Sequence, residues 1–201
     1  SSFLLDILVV DANNRRIQRY DKEFNFVHTY DETIVPQSIG RFQPTACVAT
    51  MQGDLYILEK DGRRVIVLNA RGQFERAFGS FTESKGRLID PIDITISAEN
   101  EIAVLDRNAV HLFDRFGNLL RKIDLPTTEE WKSISSSGRD LLVTSLARIE
   151  IISIDTNRRT SIDYTSLIGA PAQEPFADAV IQDSVLVILT RRSLYRCSFP
   201  Q

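Results

Sequence analysis

The sequence predicts an all-β fold, a β-propeller of four-stranded antiparallel blades, on three observations. An apolar strand, a turn rich in arginine and asparagine, and a second apolar strand recur five times along the 201 residues. Aligned at Tyr20, Leu68, Phe113, Ile154 and Cys197, the copies stand roughly 41 to 48 residues apart, a blade-sized period. No stretch keeps a 3.6-residue apolar rhythm long enough to compete as a helix, so helix is essentially absent. A β-sandwich would house the strands but would give no reason for turn chemistry that returns at a fixed interval.

The first copy runs Leu5 to Asp11, turns through Asn13, Asn14, Arg15 and Arg16, and continues from Ile17 to Tyr20. The second runs Asp54 to Glu59, turns through Lys60 to Arg64, and continues from Val65 to Leu68. The third is Glu101 to Asp106, then Arg107 and Asn108, then Ala109 to Phe113. A looser fourth is Asp140 to Thr144, then Ala147 and Arg148, then Ile149 to Ile154. The last is Ser184 to Thr190, then Arg191 and Arg192, then Leu194 to Cys197.

Further strands lie between the copies. Segments often headed by proline precede three of them: Pro44 to Ala49, Pro91 to Ile96 and Pro175 to Ile181. Phe24 to Tyr30, Phe74 to Phe78, Leu119 to Asp124 and Ser161 to Tyr164 follow the first four. Val, Ile, Leu and Tyr fill these runs, and Gly, Asn and Asp punctuate them, as strands and tight turns require. The chain thus reads as one domain, 1–201, with blades near 1–36, 37–85, 86–126, 127–170 and 171–201.

Within this frame, Phe78 to Phe81, Lys85 to Leu88, Asp90 to Ile94, Ile102 to Asp106 and Val110 to Asp114 together resemble an NHL repeat. Val9 to Asp21 resembles the strand–turn–strand core of the same family. The WD40 pattern is missing, since Trp131 is the only tryptophan, and Gly-Gly pairs of the kelch kind are absent. The resemblance implies a propeller commonly of six blades. Copy one lacks its innermost strand and the last copy its outermost, so about five blades are supplied. A compact five-bladed ring, part of a six-bladed ring and an open propeller completed by another chain all fit.

Composition bounds the function classes. With 43% hydrophobic, 8% aromatic and 25% charged residues, the chain is neither disordered nor a disulfide scaffold. A net charge of −3 argues against general nucleic-acid adhesion. The longest apolar runs are too short for a membrane-spanning helix. Cys47 and Cys197 read as small apolar residues, with a mutual disulfide as the alternative. The start at Ser1-Ser2 without methionine or leader suggests a processed product or a segment of a longer chain, and tilts the compartment slightly towards an extracytoplasmic, periplasmic or membrane-peripheral one.

Catalytic chemistry is thin. His28 and His111 are the only histidines, each in an alternating strand. Some NHL-like propellers are metal-dependent lyases that use several histidines at the channel, and two do not supply such a set. Zinc would need about three or four N/S ligands, and the cysteines lie in separate blades. Glu99 to Glu101 is the nearest approach to a calcium site and reads as a turn. No phosphate loop, nucleophile elbow or HExxH occurs. No catalytic residue, metal or cofactor is expected. A lyase- or lactonase-like site in the channel is the alternative, and an RNA-binding face a second one.

Arginine is the constellation that stands out. Arg16, Arg64, Arg107, Arg148 and Arg192 recur where the second strand of each blade turns into the third. A propeller puts equivalent turns on one face, and arginine's planar fork suits carboxylates and phosphates. These five are the candidate partner-binding residues of a non-catalytic interaction scaffold, a subunit or extrinsic component of a larger complex. The competing role is structural, because each turn follows Asp11, Glu59, Asp106 or a threonine with which arginine can pair. The loops 31–43, 80–90 and 165–174, with Ile34, Val35, Ile39, Phe42, Leu167 and Ile168, are further places for a protein partner or caps for the core.

Overall fold

The computed structural model describes residues 6–80, 85–163, 175–182 and 185–198. Among them are five antiparallel sheets and no α-helix. Sheet one holds β1 (Ile7–Asp11), β2 (Arg16–Tyr20) and β3 (Phe26–Tyr30). Sheet two holds β4 (Pro44–Ala49), β5 (Leu55–Glu59), β6 (Arg64–Leu68) and β7 (Phe74–Phe78). Sheet three holds β8 (Pro91–Ile96), β9 (Ile102–Asp106), β10 (Ala109–Phe113) and β11 (Leu119–Asp124). Sheet four holds β12 (Trp131–Ser137), β13 (Asp140–Ser145), β14 (Arg148–Ser153) and β15 (Arg159–Asp163). Sheet five holds β16 (Phe176–Gln182), β17 (Val185–Thr190) and β18 (Leu194–Ser198).

Every sheet is a meander whose strands pair in chain order, the blade architecture of a β-propeller. Two compact units divide the chain. The first carries sheets one and two with residues 91–93 and Phe116–Leu119; the second carries sheets four and five and the rest of sheet three.

The middle strands are buried on both faces, which is why they read as unbroken apolar runs rather than alternations. All five residues of β5, β9 and β10 are buried. In the first unit Ile17, Tyr30, Phe42, Leu55, Ile57, Ile66 and Leu68 form one core. In the second, Leu142, Ile149, Ile151, Phe176, Ala179, Leu186 and Ile188 form another.

The loop from Asp31 to Gln43 is not irregular throughout: it contains single 3-10 turns at Glu32–Ile34 and Gln37–Ile39. Phe42 is fully buried, and Ile34, Val35 and Ile39 pack against the first core. These apolar side chains cap the core edge, one of the two roles expected of them. Of the 80–90 loop, Leu88 is buried against Gly79 and Ile89 is exposed. The 165–174 loop, with Leu167 and Ile168, lies outside the described residues. Cys47, in β4, and Cys197, in β18, are free thiols.

The turns between third and fourth strands share one plan. The Asp21 amide donates to the Asn25 carbonyl, as Asn69 does to Gln73, and the fourth residue of each turn is left-handed. That residue is Gly72 in sheet two (φ +75°) and Gly117 in sheet three (φ +93°). A Cβ on either would stand 3.0 Å from the Tyr30 ring or 2.6 Å from the Phe78 ring, so the last residue of one blade's fourth strand rests on the glycine of the next blade's turn. In sheet one the same place is held by Phe24, at φ 63° and 74% exposed.

Candidate functional site

The turn joining second to third strand is closed from below by an oxygen-bearing side chain at the end of the second strand. Asp11 accepts from Asn14 Nδ2 at 2.9 Å and from Arg16 Nε at 2.9 Å. Glu59, fully buried, accepts from the Asp61 and Gly62 amides, both at 2.9 Å, and from Arg64 Nη2 at 3.0 Å. In sheet four Ser145 Oγ accepts from the Ala147 and Arg148 amides at 3.2 and 3.0 Å. In sheet five Thr190 Oγ1 accepts from the Arg192 and Ser193 amides at 3.4 and 3.0 Å. A short polar side chain that satisfies turn amides is what such a position selects for. The strand of sheet four runs one residue past Thr144, so Ser145 does the capping there.

Electrostatics follow these contacts. Hydrogen bonds from Asn14 and then Arg16 hold the Asp11 carboxyl below its ordinary range. Arg148 donates from Nε to Asp163 at 2.8 Å, which strengthens its hold on its proton. In the first unit, then, Arg16 and Arg64 are tied to the acids five residues before them, Arg64 with only 13% of its side chain exposed. Arg64 also donates to the Ile39 carbonyl, fastening the 31–43 loop.

The arginines just before them are different. Arg15 and Arg63 adopt left-handed backbone (φ 54° and 50°) and are exposed, and no carboxylate among the described residues pairs with either. Sequence reasoning chose Arg16 and Arg64; the exposed, uncommitted guanidinium groups of the first unit belong to Arg15 and Arg63. The recurring acid five residues before the second arginine was the signal that separates them.

In the second unit, Arg107 is exposed at φ 43°, Arg148 is half-buried in its pair with Asp163, and Arg191 and Arg192 are both exposed. Each lies at the same corner of its own sheet as the arginines of sheets one and two.

The histidines sit apart from these turns. His28 is exposed on β3, edge-on to Tyr30 at 4.8 Å between ring centroids. His111 is buried on β10, with Nε2 at 3.7 Å from Asp106. Among the described residues no three His, Cys, Asp or Glu side chains converge as metal ligands. Nor does any described helix have the length and apolarity to cross a membrane.

No family model matches the chain. Over 120 residues, 58% of its length, it is 32% identical to the protein brain tumor of Drosophila melanogaster and, to the same extent, to the B-box type zinc finger protein ncl-1 of Caenorhabditis elegans. It spans only 11% and 14% of the lengths of those two proteins. Among solved structures it is similar to a catalytically inactive virginiamycin B lyase from Staphylococcus aureus with quinupristin, with TM-score 0.70 and 16% identity, covering 94% of this chain and 60% of the lyase. It is also similar to a chain of the nidogen/laminin complex, with TM-score 0.62 and 14% identity, covering 80% of this chain and 60% of that one. At such identities the likeness is one of fold, and the fold is the β-propeller.

Proposed function

We propose that this chain is an NHL-like propeller that acts without catalysis, as a rigid scaffold presenting arginine-bearing turns to an acidic segment of another protein. The division of labour within each Arg-Arg pair carries the proposal. Arg16 and Arg64 fix their turns, which leaves Arg15 and Arg63 held at defined places on exposed backbone with their guanidinium groups uncommitted. Arg107, Arg148 and Arg192 would contribute from the equivalent turns of the other blades. Preset turns spend little ordering entropy on association, which favours binding by display. A likeness of fold to a chain in a protein complex is in keeping with protein partners. The catalytic alternative draws on the lyase likeness alone, and that is a likeness of fold.

The test uses a fluorescein-labelled oligoglutamate peptide as the acidic probe. Arg15→Glu with Arg63→Glu should weaken binding about tenfold or more at low salt, since rim charges act through screened attraction. Arg16→Glu with Arg64→Glu should change stability first. Unchanged peptide affinity in the Arg15/Arg63 variant would overturn the proposal.

A further inference from the structure

Sheet one is short of a strand, and its sister sheets specify which. β5, β9 and β13 each lie second of four, between a first strand and a third, and β17 also has a first strand, β16, beside it. β1 corresponds to these second strands: it ends in the turn-capping Asp11, as β5 ends in Glu59, and leads into a third strand headed by arginine. Its remaining edge pairs with no strand among the described residues.

The composition of β1 is that of a covered strand. Ile7 to Val10 is an uninterrupted apolar run, the pattern of a strand enclosed on both faces. Its counterparts β5 and β9 are buried at every residue. In β1 no residue is buried, and Val9 is 43% exposed.

The four first strands present in the chain describe the missing occupant. They are six or seven residues long, and each opens with a buried Pro44, Pro91, Trp131 or Phe176. In β4, β12 and β16 the register slips straight after that residue: Pro44 faces Glu59 and Ala46 faces Leu58, and the other two repeat the step. The opening residue always lies opposite the end of the second strand. Fourth strands are different, alternating exposed charge with half-buried apolar residues, as Leu119–Asp124 does.

We propose that the free edge of β1 accepts, by strand addition, an extended segment of another polypeptide. That segment is six or seven residues long, opens with proline or an aromatic residue, and continues in small and β-branched residues. It runs antiparallel to β1 with its opening residue opposite Asp11. Backbone hydrogen bonds supply the affinity and the alternate side chains the selectivity. This docking edge is separate from the arginine turns and does not depend on them.

The test uses the whole chain and three synthetic peptides: one with the sequence of Pro91–Ile96, the same peptide fully N-methylated, and one with the sequence of Leu119–Asp124. Hydrogen exchange followed by mass spectrometry reads where each binds. The first should slow exchange across residues 7–11 about tenfold or more, in a saturable way, and leave residues 194–198 unchanged. The N-methylated peptide, which keeps the side chains but donates no backbone hydrogen bond, should leave residues 7–11 unaffected, as should the third. Three outcomes overturn the proposal. One is no slowing at millimolar peptide, and another is equal slowing by either control. The last is slow exchange of residues 7–11 in the peptide-free chain that grows with protein concentration, which would assign the edge to a second copy.

Discussion

Glu59 and Arg64 form an ion pair at 3.0 Å in which the carboxylate is wholly buried and the guanidinium nearly so. The same carboxylate accepts two backbone amides, so the blade turn and the loop fastened by Arg64 share one buried charge. A pair of this kind contributes little net stability over an apolar replacement, but removing one partner strands the other.

Glu59→Ala should therefore destabilise the chain by about 3 kcal/mol, measured as a shift in the urea midpoint. Asp11→Ala removes the matching cap in a half-exposed turn of sheet one, where solvent takes over the bonds, and should shift the midpoint far less. Equal effects at the two positions would mean that burial does not set the strength of this cap.

The left-handed turn position offers a second test with opposite signs. Phe24 holds a conformation that costs an L side chain about 1 kcal/mol, and its exposed ring gains little in return. Phe24→Gly should raise stability by about that amount, while Gly117→Ala should lower it by about 2 kcal/mol, since its Cβ would meet the Phe78 ring. Thermal unfolding of the two variants decides it, and a stabilised Gly117→Ala would refute the packing role given to that glycine.

Most of this architecture was legible because second and third strands are buried on both faces and so write themselves as apolar runs. β12 was not. Its Lys132, Ser133, Ser135 and Ser136 look like loop, yet Ser133 donates to Asp178, Ser135 to the Ala179 carbonyl and Ser136 to the Ile96 carbonyl. Those partners lie some 40 residues away in sequence, beyond any local pattern. The candidate site was half legible for a related reason. The recurrence of arginine is visible in the sequence, but which member of a pair turns left-handed depends on where the capping acid reaches.

Cys47 gives a third prediction. Burial, with a smaller push from Asp93, raises its thiol to about 12, so at pH 8 only about one molecule in ten thousand carries the reactive thiolate. In a pulse of iodoacetamide at pH 8, Cys47 should label at least about a hundredfold more slowly in the folded chain than in urea, read by peptide mass spectrometry. Labelling at the unfolded rate would show that β4 does not shield it.

Acid should unfold the chain through its turn carboxylates. Asp11, Asp21 and Asp31 are each held below the ordinary value of 3.8, chiefly by side-chain hydrogen bonds from Asn14, Asn25 and Thr33 respectively. A lowered folded value means that the unfolded chain binds more protons near and below that pH, so stability rises with pH there. The contribution is complete above the ordinary carboxylate range and is lost as pH falls through the lowered folded values. Asp21→Asn, which keeps the shape of the turn but not the charge, should therefore lower the urea midpoint at pH 6 and make less difference at pH 2. A variant whose deficit is the same at both pH values would show that the Asp21 turn is held by shape alone, with no part played by its charge.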